Sequence, residues 1–138
     1  MNIVIDSCVW SLVLRRKRLA ERDPWVQALH THVDRGDVIF LVGPILQELL
    51  DGLRSPADFE RLLDALSAFP LLGLDRESYV AAARIRNDCR RRGIQMGQVD
   101  ALIAAACIQH GCALLTADTD FVRIAEHADL VVLPPLGG

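Results

Sequence analysis

Four carboxylates, Asp6, Glu48, Asp100 and Asp118, stand at the ends of apolar segments. Ile3-Val4-Ile5 leads into Asp6, and Ala113-Leu114-Leu115 lies just before Asp118. Ile45, Leu46, Leu49 and Leu50 surround Glu48, and Ala101-Leu102-Ile103 follows Asp100. An unpaired charge beside a core is costly to bury, so acids in such places need partners. Lysine cannot provide them, because Lys17 is the sole lysine in the chain. If the four acids converge, a hard divalent cation with oxygen ligands is the natural counter-charge. Acids gathered on such an ion point to metal-dependent phosphodiester chemistry.

Taken singly, each acid has an ordinary explanation. Asp6 could be a helix N-cap, although Ser7 beside it could do that job. Asp100 could be a plain first-turn acid, and Glu48 a solvated helix residue. Asp118 and Asp120 are of the type that forms turns. Asp118 is nearer to its strand end than Asp120, but either could reach a metal through water. The four histidines give no ligand pattern: His30 and His32 are two apart on one helix and face different ways, while His110 and His127 end helices.

The elements that must position these acids read as alternating strands and helices. Continuous apolar runs at 2–5, 38–42, 70–74, 112–116 and 130–133 predict short buried parallel strands. Helices are expected from Val9 to about Arg18, from Pro24 to Gly36, from Pro44, from Pro56 to before Pro70, and from Arg76 to about Arg92. Two more are expected over Val99–His110 and Phe121–Glu126. Tyr79, Ala82, Ile85 and Cys89 are the expected inward stripe of the Arg76 helix. Val99–His110 is apolar nearly all round, as a central helix should be. The pattern implies one α/β domain over 1–138, a three-layer α/β/α sandwich on a central, mainly parallel sheet, with 134–138 as a loose tail. In such sheets ligands bind beyond the carboxyl ends of the strands. Asp6 and Asp118 follow strands, and Asp100 lies in a first helical turn, so all three map to one edge. Gly52, one turn beyond Glu48, would leave room in front of that carboxylate.

Composition narrows the setting. A chain of 138 residues can bury a core, and 51% hydrophobic with 5% aromatic content means a core of Leu, Ile, Val and Ala. A net charge of -3 excludes a general nucleic-acid coat but not a nuclease, whose metal-site acids offset a basic rim. Cys8, Cys89, Cys107 and Cys112 form no CxxC pair, which favours buried thiols in a reducing cytosol. No leader is expected, and the run Ala101–Ile108 is too short to span a bilayer. Arg15-Arg16-Lys17-Arg18 ends the first helix and has either a solvated or an RNA- or partner-facing role. Arg86 and Arg90 share a face on the helix leading toward Asp100, where they suit phosphate contact or charge compensation. Trp10 and Trp25 fit core or dimer-interface positions better than base-stacking ones.

Four pieces of the chain together resemble the PIN-domain ribonucleases, most closely the VapC toxins of bacterial toxin–antitoxin pairs. They are Ile5-Asp6-Ser7-Cys8-Val9-Trp10, Gln47-Glu48-Leu49-Leu50-Asp51-Gly52-Leu53, Val99-Asp100-Ala101-Leu102-Ile103-Ala104-Ala105 and Leu115-Thr116-Ala117-Asp118-Thr119-Asp120-Phe121. Order and spacing agree over almost the whole chain. The resemblance implies a cytoplasmic endoribonuclease that uses Mg²⁺, with Mn²⁺ able to substitute. It further implies a homodimer that is silenced by a cognate VapB-like antitoxin. Carried over, Asp6, Glu48, Asp100 and Asp118 are the catalytic metal-site acids, with Ser7, Thr116 and Asp120 supporting. Cys8 departs from the small polar residue common there, which touches only a supporting hydrogen bond. The Leu-rich stretch from Pro44 to Phe69 offers a surface for a second copy and a groove for the antitoxin.

Three rivals fare worse. A phosphoacceptor domain needs a lysine late in the chain, and none follows Lys17. A haloacid-dehalogenase-like phosphatase needs an Asp where Cys8 stands. A non-enzymatic binding module leaves the four acids without a purpose.

Overall fold

The computed structural model describes residues 1–15 and 22–135. In chain order the elements are β1 (Asn2–Ile5), α1 (Ser7–Arg15), α2 (Pro24–Asp34), β2 (Val38–Val42), α3 (Gly43–Leu50) and α4 (Pro56–Leu66). Then follow β3 (Leu71–Leu72), α5 (Arg76–Arg91), α6 (Gln98–His110), β4 (Ala113–Leu115), α7 (Thr119–Ala125) and β5 (Val132–Leu133). Arg16, Lys17 and Arg18 of the expected first-helix end, and residues 136–138 of the expected tail, lie outside the described residues.

The sheet runs β3-β2-β1-β4-β5, and every pairing among the described strands is parallel. Parallel strands need helical crossovers, which cover both faces and bury the central strand. Ile3, Val4 and Ile5 are accordingly sealed from solvent. From β1 the chain first builds outward through β2 and β3, then crosses back to place β4 on the other side. The turns after β1 and β4 therefore diverge, opening a crevice beyond their carboxyl ends. Register fixes what faces it: Ile5 pairs with Leu115, and the Asp6 amide donates to the Leu115 carbonyl at 2.9 Å. Asp6 and Thr116 thus emerge side by side.

Helix α6 closes the core against this sheet. Ala101, Ile103, Ala104, Ala105, Ala106 and Cys107 are all buried, and the small side chains let the helix approach closely. Gly111 ends it in the left-handed conformation at φ 65°, which favours glycine. Helix α5 packs most extensively against α6.

Several boundaries differ from the sequence reading. Ser7 is the first helical residue of α1 rather than its cap, and Asp6 occupies the position before it. The strands are trimmed to Leu71–Leu72, Ala113–Leu115 and Val132–Leu133, and α7 starts earlier, at Thr119, because Asp118 caps it. Tyr79 does not point inward; it is 56% exposed, and Ser78 takes the buried position. Asp75 and Ser78 form a reciprocal capping box that sets the rotation of the first turn. The inward stripe then runs through Ser78, Ala82, Ile85 and Cys89. Ser78 is acceptable there because its hydroxyl also donates to Gln109 on α6. Leu53 and Gly52 fall beyond α3, and Gly52 sits in a turn at φ 83° rather than on the helix face.

Candidate metal-dependent nuclease site

The Asp6 carboxyl is buried, and its donors among the described residues are all neutral. One oxygen, Oδ1, accepts from the Ser7 amide at 2.8 Å. The other, Oδ2, accepts from the Thr116 hydroxyl at 2.6 Å and weakly from the Cys8 thiol at 3.4 Å. Thr116 in turn accepts from the Asp118 amide at 3.0 Å, so one hydroxyl ties the ends of β1 and β4 together. Cys8 keeps the supporting contact that its departure from the family pattern placed at issue. Burial, then the Asp6 charge, push its thiol up, which keeps it a donor.

Asp118 caps α7 by accepting from the Asp120 amide at 2.9 Å. Asp100 stands in the first turn of α6, where its Oδ2 lies 3.7 Å from the point a Cβ on Gly97 would occupy. Its carboxyl is pushed up to about 6, first by burial and then by the charges of Asp118, Asp6, Asp120 and Glu48. The fold therefore brings all five sequence-predicted acids within electrostatic reach of one another. Glu48 is the outermost: it is exposed on α3 and lines, with Ser7, Leu14, Leu49, Gly52 and Leu62, a cavity of about 460 Å³.

The ion pairs among the described residues lie elsewhere, on Asp37, Asp58 and Asp88. Among the described residues no group of three or more Asp, Glu, His or Cys side chains forms a ready-made metal cage. A nest of like charges of this kind is nevertheless what a divalent cation fits. The donors are hard carboxylate oxygens, and Mg²⁺ retains several waters, so few protein ligands suffice.

Arg86 and Arg90 lie on the Asp100 side of this edge. They line an open cleft of about 690 Å³ with Gly93, Gln95, Met96 and Gly97. The Arg86 Nε donates to the Met96 carbonyl at 2.9 Å, which anchors the loop before α6. Arg86 is thus partly committed to backbone, while Arg90 is exposed. Gly97 belongs both to the cleft and to the surroundings of Asp100. Nothing local in the sequence reveals that junction, because Gly97 carries no side chain to read.

Comparison with known proteins agrees with this geometry. The PIN-domain family profile matches residues 3–127. Ribonuclease VapC1 of Rickettsia felis is 36% identical over 132 residues, covering 90% of this chain and 91% of that protein. The fold is shared with VapBC2 of Rickettsia felis bound to a promoter DNA fragment, at TM-score 0.74 and 18% identity over 96% of this chain and 98% of that one. FitAcB from Neisseria gonorrhoeae gives TM-score 0.72 and 23% identity over 96% and 97%. A toxin–antitoxin complex from Klebsiella pneumoniae gives TM-score 0.74 and 20% identity over 96% and 97%.

Proposed function

The chain belongs to the PIN-domain family, and we propose that it is a metal-dependent endoribonuclease toxin of the VapC kind, active over residues 1–138 as one domain. The observation that carries the reading is Asp100, a carboxyl pushed up to about 6 amid four other acids, with no cation among the described residues ion-paired to them. The relative at 36% identity is named a ribonuclease, which gives that charge a substrate class.

Asp6 and Asp100 would hold the principal ion, with Glu48 and Asp118 completing the site directly or through water. Mg²⁺, or Mn²⁺ in its place, supplies Lewis-acid charge and lowers the pKa of a coordinated water. The chain does the positioning. Thr116 and the Ser7 amide fix both Asp6 oxygens, so that carboxylate meets its ligand without reorganising. Asp118, held by its own cap, keeps its place relative to Thr116. Asp120 is exposed beside it and adds charge at the rim. The acids alone repel RNA, so binding needs a cationic rim, and Arg86 and Arg90 supply it in the cleft that ends at Gly97. Gripping phosphates there positions the backbone without reading bases.

The partner reading follows from the opposite rim. The cavity beside Glu48 joins α1, α3, the turn after α3 and the middle of α4 through Leu14, Leu49, Leu53 and Leu62. An antitoxin segment with apolar residues fits its walls, and an arginine on that segment would meet the unpaired acids in a charge-assisted contact. A second copy would cover further leucines of the stretch from Pro44 to Phe69, giving a homodimer. No helix among the described residues is long and apolar enough to cross a membrane, and all four cysteines are free. Both fit a cytoplasmic RNA-cleaving protein.

The decisive experiment is RNA cleavage by the purified chain with and without chelator. Cleavage should stop in EDTA and return with Mg²⁺ or Mn²⁺. Undiminished cleavage in excess chelator would overturn the metal mechanism.

A further inference from the structure

A separate cavity of about 480 Å³ opens on the Asp118 side of the acidic edge, away from the arginine cleft. It lies between the first turn of α2, one face of α7 and the chain following β5. Trp25, Val122 and Pro134 form apolar walls, Thr116 and Asp118 form the end nearest the acids, and Glu126 stands at the rim. Trp25, whose sequence context suits a core or dimer-interface position, is half-buried and lines this cavity. We propose that this cavity is a nucleobase subsite, holding the base of a nucleotide next to the phosphate that is cut.

The lining selects the occupant. The charged groups facing the cavity among the described residues, Asp118 and Glu126, are carboxylates, which turn away a phosphate. An aliphatic side chain would suit the walls but would take nothing from Glu126. A nucleobase is flat and apolar on its faces, and it carries N–H donors on its edges. It can stack on the Trp25 indole while an edge N–H reaches the Glu126 carboxylate. Position agrees with chemistry: Thr116 and Asp118 line this cavity, and the Thr116 hydroxyl donates to Asp6, so the two sites share a wall. The Arg86 cleft and this cavity share no lining residue; one adjoins Asp100 through Gly97 and the other includes Asp118, so a single strand could reach both across the acids. The inference rests on the ribonuclease reading and adds where sequence preference would arise.

The test begins without cleavage. The full chain, labelled with ¹⁵N, is titrated in EDTA with adenosine, guanosine, cytidine and uridine, which carry no charge for the acids to repel. The Trp25 indole N–H signal should shift, most for one or two of the four, while the signal of buried Trp10 stays. An unmoved Trp25, or equal movement at Trp10, overturns the subsite. Trp25→Leu should weaken nucleoside binding roughly tenfold, the loss expected for one stacked base. Val122 is 48% exposed, so Val122→Phe leaves the core alone and places a competing ring at the mouth. That variant should lose the nucleoside shift and, with Mg²⁺, cut RNA at altered nucleotides. Unchanged ends at an unchanged rate overturn the subsite with the ribonuclease reading intact. A nucleoside shift in a chain that cuts no RNA overturns the ribonuclease reading and with it the role given to the base. If Val122→Phe instead turns a dimer into a monomer and changes no nucleoside response, the cavity is an interface between copies.

Discussion

The two ends of strand β1 treat charge in opposite ways. At its start, Asp37 receives the His32 ring nitrogen at 2.9 Å and the Met1 amine at 3.0 Å. The His32 contact, followed by that of the amine, holds the Asp37 carboxyl below its ordinary range. At its end, Asp6 has only neutral donors among the described residues, and Asp100 is pushed up to about 6 by burial and neighbouring acids. One end is neutralised by the fold itself; at the other, no described residue supplies a counter-charge. The comparison teaches that this chain can pair an acid when stability is the only demand. The repulsion beyond β1 and β4 is what the proposed metal site would require.

The largest expected effect comes from removing one of the uncompensated charges. Asp100→Asn should lower RNA cleavage by about a thousandfold, the scale of several kcal/mol of metal-assisted stabilisation. In chelator at neutral pH the same variant should melt higher than the parent, because one of five repelling acids is gone. The paired end predicts the reverse: Asp37→Asn should leave cleavage intact and lower the melting temperature. Calorimetry and a cleavage assay on both variants sharpen the contrast. If Asp100→Asn melts lower in chelator, the acid nest is not under repulsion and the comparison breaks.

Next in size is the strut between the two strand ends. Thr116→Val keeps the shape but removes the hydroxyl that donates to Asp6 and accepts from Asp118. Metal affinity or rate should fall roughly 10- to 100-fold, as for groups that orient a metal ligand. Thr116→Ser should recover most of the loss, and isothermal titration with Mn²⁺ separates affinity from rate. A Thr116→Val protein with parental Mn²⁺ affinity and rate would show that Asp6 needs no positioning.

How much of this was legible in the sequence divides along the same line. The strand end that meets the acids was readable because a buried parallel strand is one continuous apolar run. Its first polar residue, Asp6, then marks where the core stops. Asp100 was readable from its place at the start of an all-round apolar helix. What escaped depends on contacts far apart in the chain. Ser78 takes the inward place expected for Tyr79 because Gln109, 31 residues on, satisfies its hydroxyl. Asp6 and Ser7 are both cap-type residues, and side-chain type could not say which would lie inside α1. Trp25 shares a cavity with Thr116 only because α2 begins beside the end of β4, and no spacing in the sequence carries that fact.

A smaller effect is expected at the basic cleft. If Arg86 and Arg90 each grip one phosphate, replacing both by Ala should weaken RNA binding for all sequences alike. The slope of log affinity against log salt should drop by about 0.7 per lost contact, the single-strand value. Arg86→Ala also frees the Met96 carbonyl, so Arg90→Ala alone is the cleaner variant. An unchanged salt slope in Arg90→Ala places the cationic rim elsewhere.

The smallest effect, and the most direct test of the contrast between the two ends of β1, is the pH dependence of stability in chelator. Asp37 has a folded pKa below its ordinary value of 3.8. Its contribution is complete above that value and is lost as the pH falls through the lower folded one. Asp100 has a folded pKa raised from 3.8 to about 6. Its contribution is greatest below 3.8, where the carboxyl is protonated in both states, and is lost as the pH rises through 6. The melting-temperature difference between Asp37→Asn and the parent should therefore be negative at pH 7 and shrink toward pH 3. The difference for Asp100→Asn should be positive at pH 7 and shrink below pH 5. Mg²⁺ should erase the second difference and leave the first, because binding requires Asp100 to give up its proton and supplies the missing counter-charge. Two profiles that run parallel, or a Mg²⁺ effect equal on both variants, would mean that both ends of β1 are neutralised alike.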